Sequence, residues 1–119
     1  MAWGSKTQIA SGVSVAGTEQ YSTAVTLDPG ETAEVQITGD SNGTTDNLLV
    51  RVYATLDASS EQWDTAPRQS IEIDCLDGNL NAKTIKVRGY YKFRLGFIRS
   101  GSTDTITANA YYRKDGVSI

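Results

Sequence analysis

The side chains available for chemistry are 14 carboxylates, 11 lysines and arginines, one cysteine and no histidine, in a chain of 119 residues. Without histidine the commonest general base and the commonest metal ligand are missing. Ser-His, Cys-His and histidine-zinc arrangements are therefore excluded within these residues. The single cysteine, Cys75, permits no intrachain disulfide. It lies in phase with Ile71 and Ile73 and reads as a small buried hydrophobe. Candidate oxygen ligands recur at alternate positions at Asp40, Asn42, Thr44 and Asp46. The EF-hand pattern fails there, because Gly43 falls one position early and no glutamate closes the loop. This stretch reads as a solvated loop, and neither metal nor cofactor is expected. Glu61, Asp64 and Asp74 could be paired for glycoside hydrolysis, yet nothing in the sequence sets their separation. Phosphate-cradling glycine loops are absent. An enzyme is not expected.

Binding chemistry has better raw material. Trp3 and Trp63 lie outside any alternating segment, and tryptophan is enriched where a few residues carry an interface. Tyr90, Lys92 and Arg94 share one parity of a strand-like stretch, with Tyr111 and Arg113 on the stretch that follows. Interleaved aromatics and cations can track a nucleic acid, but the pI near 4.8 is opposite to the basic footprint that such binding needs. No nucleic-acid partner is expected. Charge is unevenly placed: residues 1–82 hold 3 basic and 12 acidic side chains, and residues 83–119 hold 8 basic and 2 acidic. Cross-strand pairs, for example of Glu72 and Asp74 with Lys86 and Arg88, would neutralise part of this. A basic face meeting an acidic partner surface would use the rest. Trp3, Trp63, Tyr90, Lys92, Arg94 and Arg113 are the candidate partner-contact residues.

The elements that would position these residues follow from a period of two, which lets a strand bury one face and wet the other. Tyr91, Phe93, Leu95 and Phe97 alternate with Tyr90, Lys92, Arg94 and Gly96. Ile106, Ala108, Ala110 and Tyr112 alternate with Thr105, Thr107, Asn109 and Tyr111. The connection 98–104 marks these two stretches as a terminal hairpin. Tyr21, Thr23, Val25 and Leu27 form another inward set. Asp28-Pro29-Gly30 is a strong turn signal leading to Ala33, Val35 and Ile37, which predicts a second hairpin. Leu48, Val50, Val52, Ala54 and Leu56 oppose Leu49, Arg51, Tyr53 and Thr55. Residues 57–69 break the pattern as a long loop carrying Trp63, and long loops in compact domains are often functional. Ile71, Ile73 and Cys75, then Ile85 and Val87, complete the set. No repeat is read. The expectation is all-β: an antiparallel β-sandwich, jelly-roll-like, of seven to eight strands. Residues 1–12 are expected to form an N-terminal arm and 13–119 a single domain.

No apolar run approaches the roughly 20 residues that span a bilayer, and the first residues lack the apolar stretch of a signal peptide. Synthesis in the cytoplasm and no membrane partner are expected. The short polar arm 1–12, the Ser/Thr/Gly-rich strands without histidine and the expected terminal hairpin 89–114, ending in Asp115-Gly116-Val117, give the chain a resemblance. It resembles small all-β virion proteins of tailed bacteriophages, of the capsid decoration (cement) type. The resemblance implies a non-enzymatic structural protein, dimeric or trimeric, that binds the major capsid protein or another virion protein and stabilises the capsid. A carbohydrate- or receptor-binding sandwich of a fibre or tail tip is the alternative, with Trp63 and Tyr53 beside its polar loops.

Overall fold

The alternating segments become strands in a computed structural model that describes residues 6–27, 31–56, 62–75, 80–88 and 92–114. Nine strands are formed among them: β1 (Thr7–Val15), β2 (Gln20–Tyr21), β3 (Val25–Thr26), β4 (Thr32–Ser41), β5 (Leu48–Thr55), β6 (Gln69–Ile73), β7 (Asn81–Arg88), β8 (Lys92–Arg99) and β9 (Ile106–Lys114). They make two antiparallel sheets. One runs β1-β9-β4-β7; the other runs β2-β8-β5-β6, with β3 also paired to β8. Both β2 and β3 lie along β8, so together they act as one interrupted strand. The interruption is chemical: Ser22 Oγ accepts the amide of Leu95, and the Ser22 amide donates to the Leu95 carbonyl. Counted this way, the connectivity is that of an eight-stranded jelly roll.

The inner faces are the inward sets read from the sequence. Val35 and Ile37 of β4, Val50 and Val52 of β5, Phe93, Leu95 and Phe97 of β8, and Ala108 and Ala110 of β9 are essentially sealed from solvent. Cys75 belongs to the same core. Phe93 and Phe97 are the largest fully buried side chains, and truncating either to alanine costs about 3–5 kcal/mol.

Three expectations are corrected by the pairing. The segments expected as a terminal hairpin do not pair: β8 lies in one sheet and β9 in the other. Nor do the arms around 28–30 pair, since β3 joins β8 whereas β4 joins β7 and β9. Each connection crosses between the sheets, because a strand whose inward face is apolar can cover a facing sheet as readily as a neighbouring strand. Finally, residues 7–12 are not part of a loose arm; they are the first two-thirds of β1, paired to β9. Register shifts after Gln8 and Ala10, with Gly12 at φ 56°, bury Ile9 and Ala10 together and erase the period of two. The turn 28–30 itself lies outside the described residues.

Charge neutralisation also uses other residues than expected. β6 and β7 sit in different sheets, so Glu72 is paired across its ladder with Leu49. Glu34 instead stands in register between Lys86 and Arg113, and Lys114 Nζ lies 3.1 Å from Glu31 Oε1. The edge strand β7 exposes Lys83, Lys86 and Arg88. Lys83 stands opposite inward-facing Ile37, and a charge at such a position discourages strand addition at an open edge.

Candidate functional site

On the outer face of the five-stranded sheet, β8 supplies Lys92, Arg94 and Gly96, and β5 supplies Arg51, Tyr53 and Thr55. Register places Tyr53 beside Arg94, and both Tyr21 and Arg51 beside Gly96. Gly96 leaves a pit that its neighbours fill: a Cβ there would stand 2.3 Å from Glu19 Oε2 and 2.8 Å from the Tyr53 ring. Glu19 therefore reaches down onto the sheet. The Tyr53 hydroxyl donates to Glu19 Oε2 at 2.9 Å and the Tyr21 hydroxyl to Glu19 Oε1 at 3.2 Å. The two rings meet edge to face with centroids 6.0 Å apart, a favoured aromatic geometry. Desolvation and then the Glu19 carboxylate raise the Tyr21 phenol above its ordinary value; desolvation and the hydrogen bond to Glu19 do the same for Tyr53, opposed by Arg51.

Trp63 is brought to this face by its backbone. The Ala54 carbonyl accepts the Asp64 amide at 3.0 Å, the Val52 carbonyl accepts the Arg68 amide at 2.7 Å, and Thr55 Oγ1 donates to the Gln62 carbonyl at 2.8 Å. An Asp64–Arg68 ion pair of 2.6 Å braces the segment. The long connection is thus a strap along β5. Covered by strap and Glu19, Tyr53 and Thr55 are buried although they stand on the outer side.

Arg94 lies between the two aromatic groups. Its guanidinium carbon is 4.0 Å from the Tyr21 ring centroid and 4.6 Å from that of Trp63, within the range of cation–π attraction. Its Nε is buried and has no hydrogen-bond partner among the described residues. Tyr21 remains 46% exposed, so the cluster opens outward.

The structure brings Trp63 and Arg94 together and sets Lys92 one step along the same face, opposite Thr55 and Thr26. It separates Arg113 and Tyr111 from them. Those two stand on the outer face of the four-stranded sheet, where Lys6 Nζ lies 4.4 Å above the Tyr111 ring. A shallow groove of about 260 Å³ runs there past Glu34, Gln36, Thr84, Tyr111 and Arg113. The single basic face expected across a hairpin is therefore two faces on opposite sides of the sandwich. Trp3 and Tyr90 lie outside the described residues. Sequence reasoning missed Tyr21, placed among inward residues, and Glu19; the short spacing between a carboxylate and a tyrosine was the available signal.

A second polar cluster closes one end of the sandwich. The β4–β5 and β8–β9 connections cross between sheets side by side, and each carries a Gly-Ser/Thr-Thr-Asp tetrad: Gly43-Thr44-Thr45-Asp46 and Gly101-Ser102-Thr103-Asp104. The two aspartates clasp each other's loops. Asp104 Oδ2 accepts the amides of Thr45 and Asp46 and the Ser41 hydroxyl at 2.7, 2.9 and 3.1 Å. Asp46 Oδ2 accepts the amides of Thr103 and Asp104 at 2.9 and 2.8 Å. A Cβ on Gly43 would stand 2.3 Å from Asp104 Oδ1, and one on Gly101 2.3 Å from Asp46 Oδ1. The amides of Asp46 and Thr45 hold the Asp104 carboxyl below its ordinary range, aided by Ser41 and Arg99 against desolvation. Asp46 is thus turned to the neighbouring loop, and Asn42 Oδ1 accepts the Thr105 amide. Of the alternate oxygens at 40–46, those of Asn42 and Asp46 thus serve backbone donors. No group of three or more potential metal ligands occurs among the described residues.

No family model, curated protein or solved structure matches this chain.

Proposed function

We propose that the protein is a non-enzymatic structural protein that docks on a bacteriophage capsid through the outer face of its five-stranded sheet and stabilises it. The observation that carries the docking surface is the stack of Tyr21, Arg94 and Trp63 over Tyr53. Tryptophan, tyrosine and arginine are the types that dominate binding energy at interfaces. Here they are held by strand register, by the strap and by Glu19 before any partner arrives, which lowers the entropic cost of association. The virion class rests on the resemblance to small all-β capsid decoration proteins. It makes the major capsid protein, or another virion protein, the partner, with the protein itself a dimer or trimer in the virion after synthesis in the host cytoplasm.

A second reading, a carbohydrate- or receptor-binding module of a fibre or tail tip, is favoured by the exposed Tyr21 ring beside a carboxylate. Against it, Glu19 already accepts both phenols, and Arg94 covers one face of each stacking ring. The test is co-sedimentation with purified capsids that lack the protein. Stoichiometric binding and a raised capsid melting temperature support the first reading. Binding to a glycan array with indifference to capsids selects the second, and silence in both assays defeats both.

A further inference from the structure

Arg94 carries five N–H donors, yet it makes no hydrogen bond and no ion pair among the described residues. Nε is closed off from solvent, which leaves the terminal nitrogens as the donors for an acceptor from outside. Glu19, which lies over Gly96 on the same face, is committed to two tyrosine hydroxyls. The Arg94 guanidinium carbon lies over both the Tyr21 and the Trp63 ring, so an acceptor must approach where these rings do not cover it.

We propose that Arg94 is a receptor for one carboxylate, an aspartate or glutamate side chain of the docking partner, bound end-on by the two terminal nitrogens. A planar carboxylate matches the guanidinium fork with two parallel hydrogen bonds. The flanking rings would cover the methylene groups behind that carboxylate, an apolar contact that inorganic phosphate lacks. This assignment rests on the docking reading only for where the carboxylate comes from; the receptor itself belongs to the isolated protein.

The experiment is an NMR titration of the arginine Nε–Hε signals of the whole chain with sodium acetate and with N-acetylglutamate amide. Inorganic phosphate and methyl glucoside serve as comparisons. The expected result is a saturable shift of the Arg94 signal with both carboxylates, larger than that of Arg113 and weaker with phosphate. Arg94→Lys should lower carboxylate affinity roughly tenfold or more, since an ammonium keeps the charge and loses the fork. Equal shifts at Arg94 and Arg113, tighter binding of phosphate, or a response to the glucoside alone would each overturn the proposal. A Trp63→Phe variant keeps the question open to measurement if Arg94→Lys folds poorly: the Arg94 shift should shrink while that of Arg113 is unchanged. Capsid binding without the acetate response sinks the receptor and spares the docking reading; the acetate response without capsid binding does the reverse. Concentration-dependent dimerisation that Arg94→Lys abolishes would make the partner a second copy and overturn a partner of another kind.

Discussion

Two clusters of polar side chains sit at different places in this sandwich, and they differ in one respect. At the clasped end, Asp46 and Asp104 are buried and accept five hydrogen bonds between them, four from backbone amides and one from Ser41. On the outer face, the Arg94 guanidinium is equally well placed by its neighbours and has no acceptor among the described residues. A satisfied network rigidifies and specifies a fold, whereas an unsatisfied one is a cost that something else must offset. The end reads as architecture and the face as an incomplete interaction. The comparison also explains how the face is kept in shape, because the clasp fixes the crossing of β8 to β9 and with it the strand that carries Arg94.

The comparison breaks first at the clasp if it is wrong. Asp46→Ala removes the acceptor of the buried Asp104 amide, worth about 1–3 kcal/mol when orphaned, and of the part-buried Thr103 amide, so urea unfolding should show a loss of about 2–4 kcal/mol. A loss within ordinary surface scatter would mean that the clasp is decorative. Gly101→Ala comes next. Its Cβ cannot coexist with Asp46 Oδ1, and overpacking of this kind costs about 1–3 kcal/mol. Gly17→Ala, with nothing within 4 Å of the new atom, is the matched control and should be close to neutral. Thermal melts of the pair separate a steric account from a general intolerance of alanine.

Acid sharpens the same contrast. The folded-state pKa of Asp104 lies below its ordinary value, so its contribution is fully present above the unfolded pKa of about 4 and is lost as pH falls through the folded value. Urea midpoints measured from neutral pH downward should therefore decline below about pH 4. The decline should be shallower in Asp104→Asn, which has no carboxylate to protonate. An unchanged acid limb in that variant would place the sensitivity elsewhere. Tyr53→Phe should have a smaller effect, about 1 kcal/mol from one hydrogen bond to Glu19, and is read by the same unfolding curve.

Much of the fold was legible in the residues. The inward sets Val35/Ile37, Val50/Val52, Phe93/Leu95/Phe97 and Ala108/Ala110 are read directly from a period of two, and all are buried. Pairing was not legible. Two alternating stretches joined by turn chemistry look the same whether they face each other across a ladder or across the core, and the choice depends on the whole set of strands. Local exceptions hid the rest. Ser22 interrupts the strand that Tyr21 begins, which turns Tyr21 outward, and the irregular register of β1 disguised a sheet strand as an arm. Of the candidate site, residue type pointed to Trp63 and Arg94, but no spacing rule joins positions 31 apart in a chain. The repeated Gly-Ser/Thr-Thr-Asp tetrad was present and readable; its meaning required the two loops to be side by side.

The central claim is that Arg94 serves a partner and not the fold. It is tested most directly by measuring Arg94→Ala twice, in urea unfolding and in capsid co-sedimentation. The predicted result is unfolding free energy within about 1 kcal/mol of the parent, as for a half-buried surface substitution, together with loss of capsid binding. Binding retained at parental strength, or binding lost only in step with a collapse of stability, would contradict it.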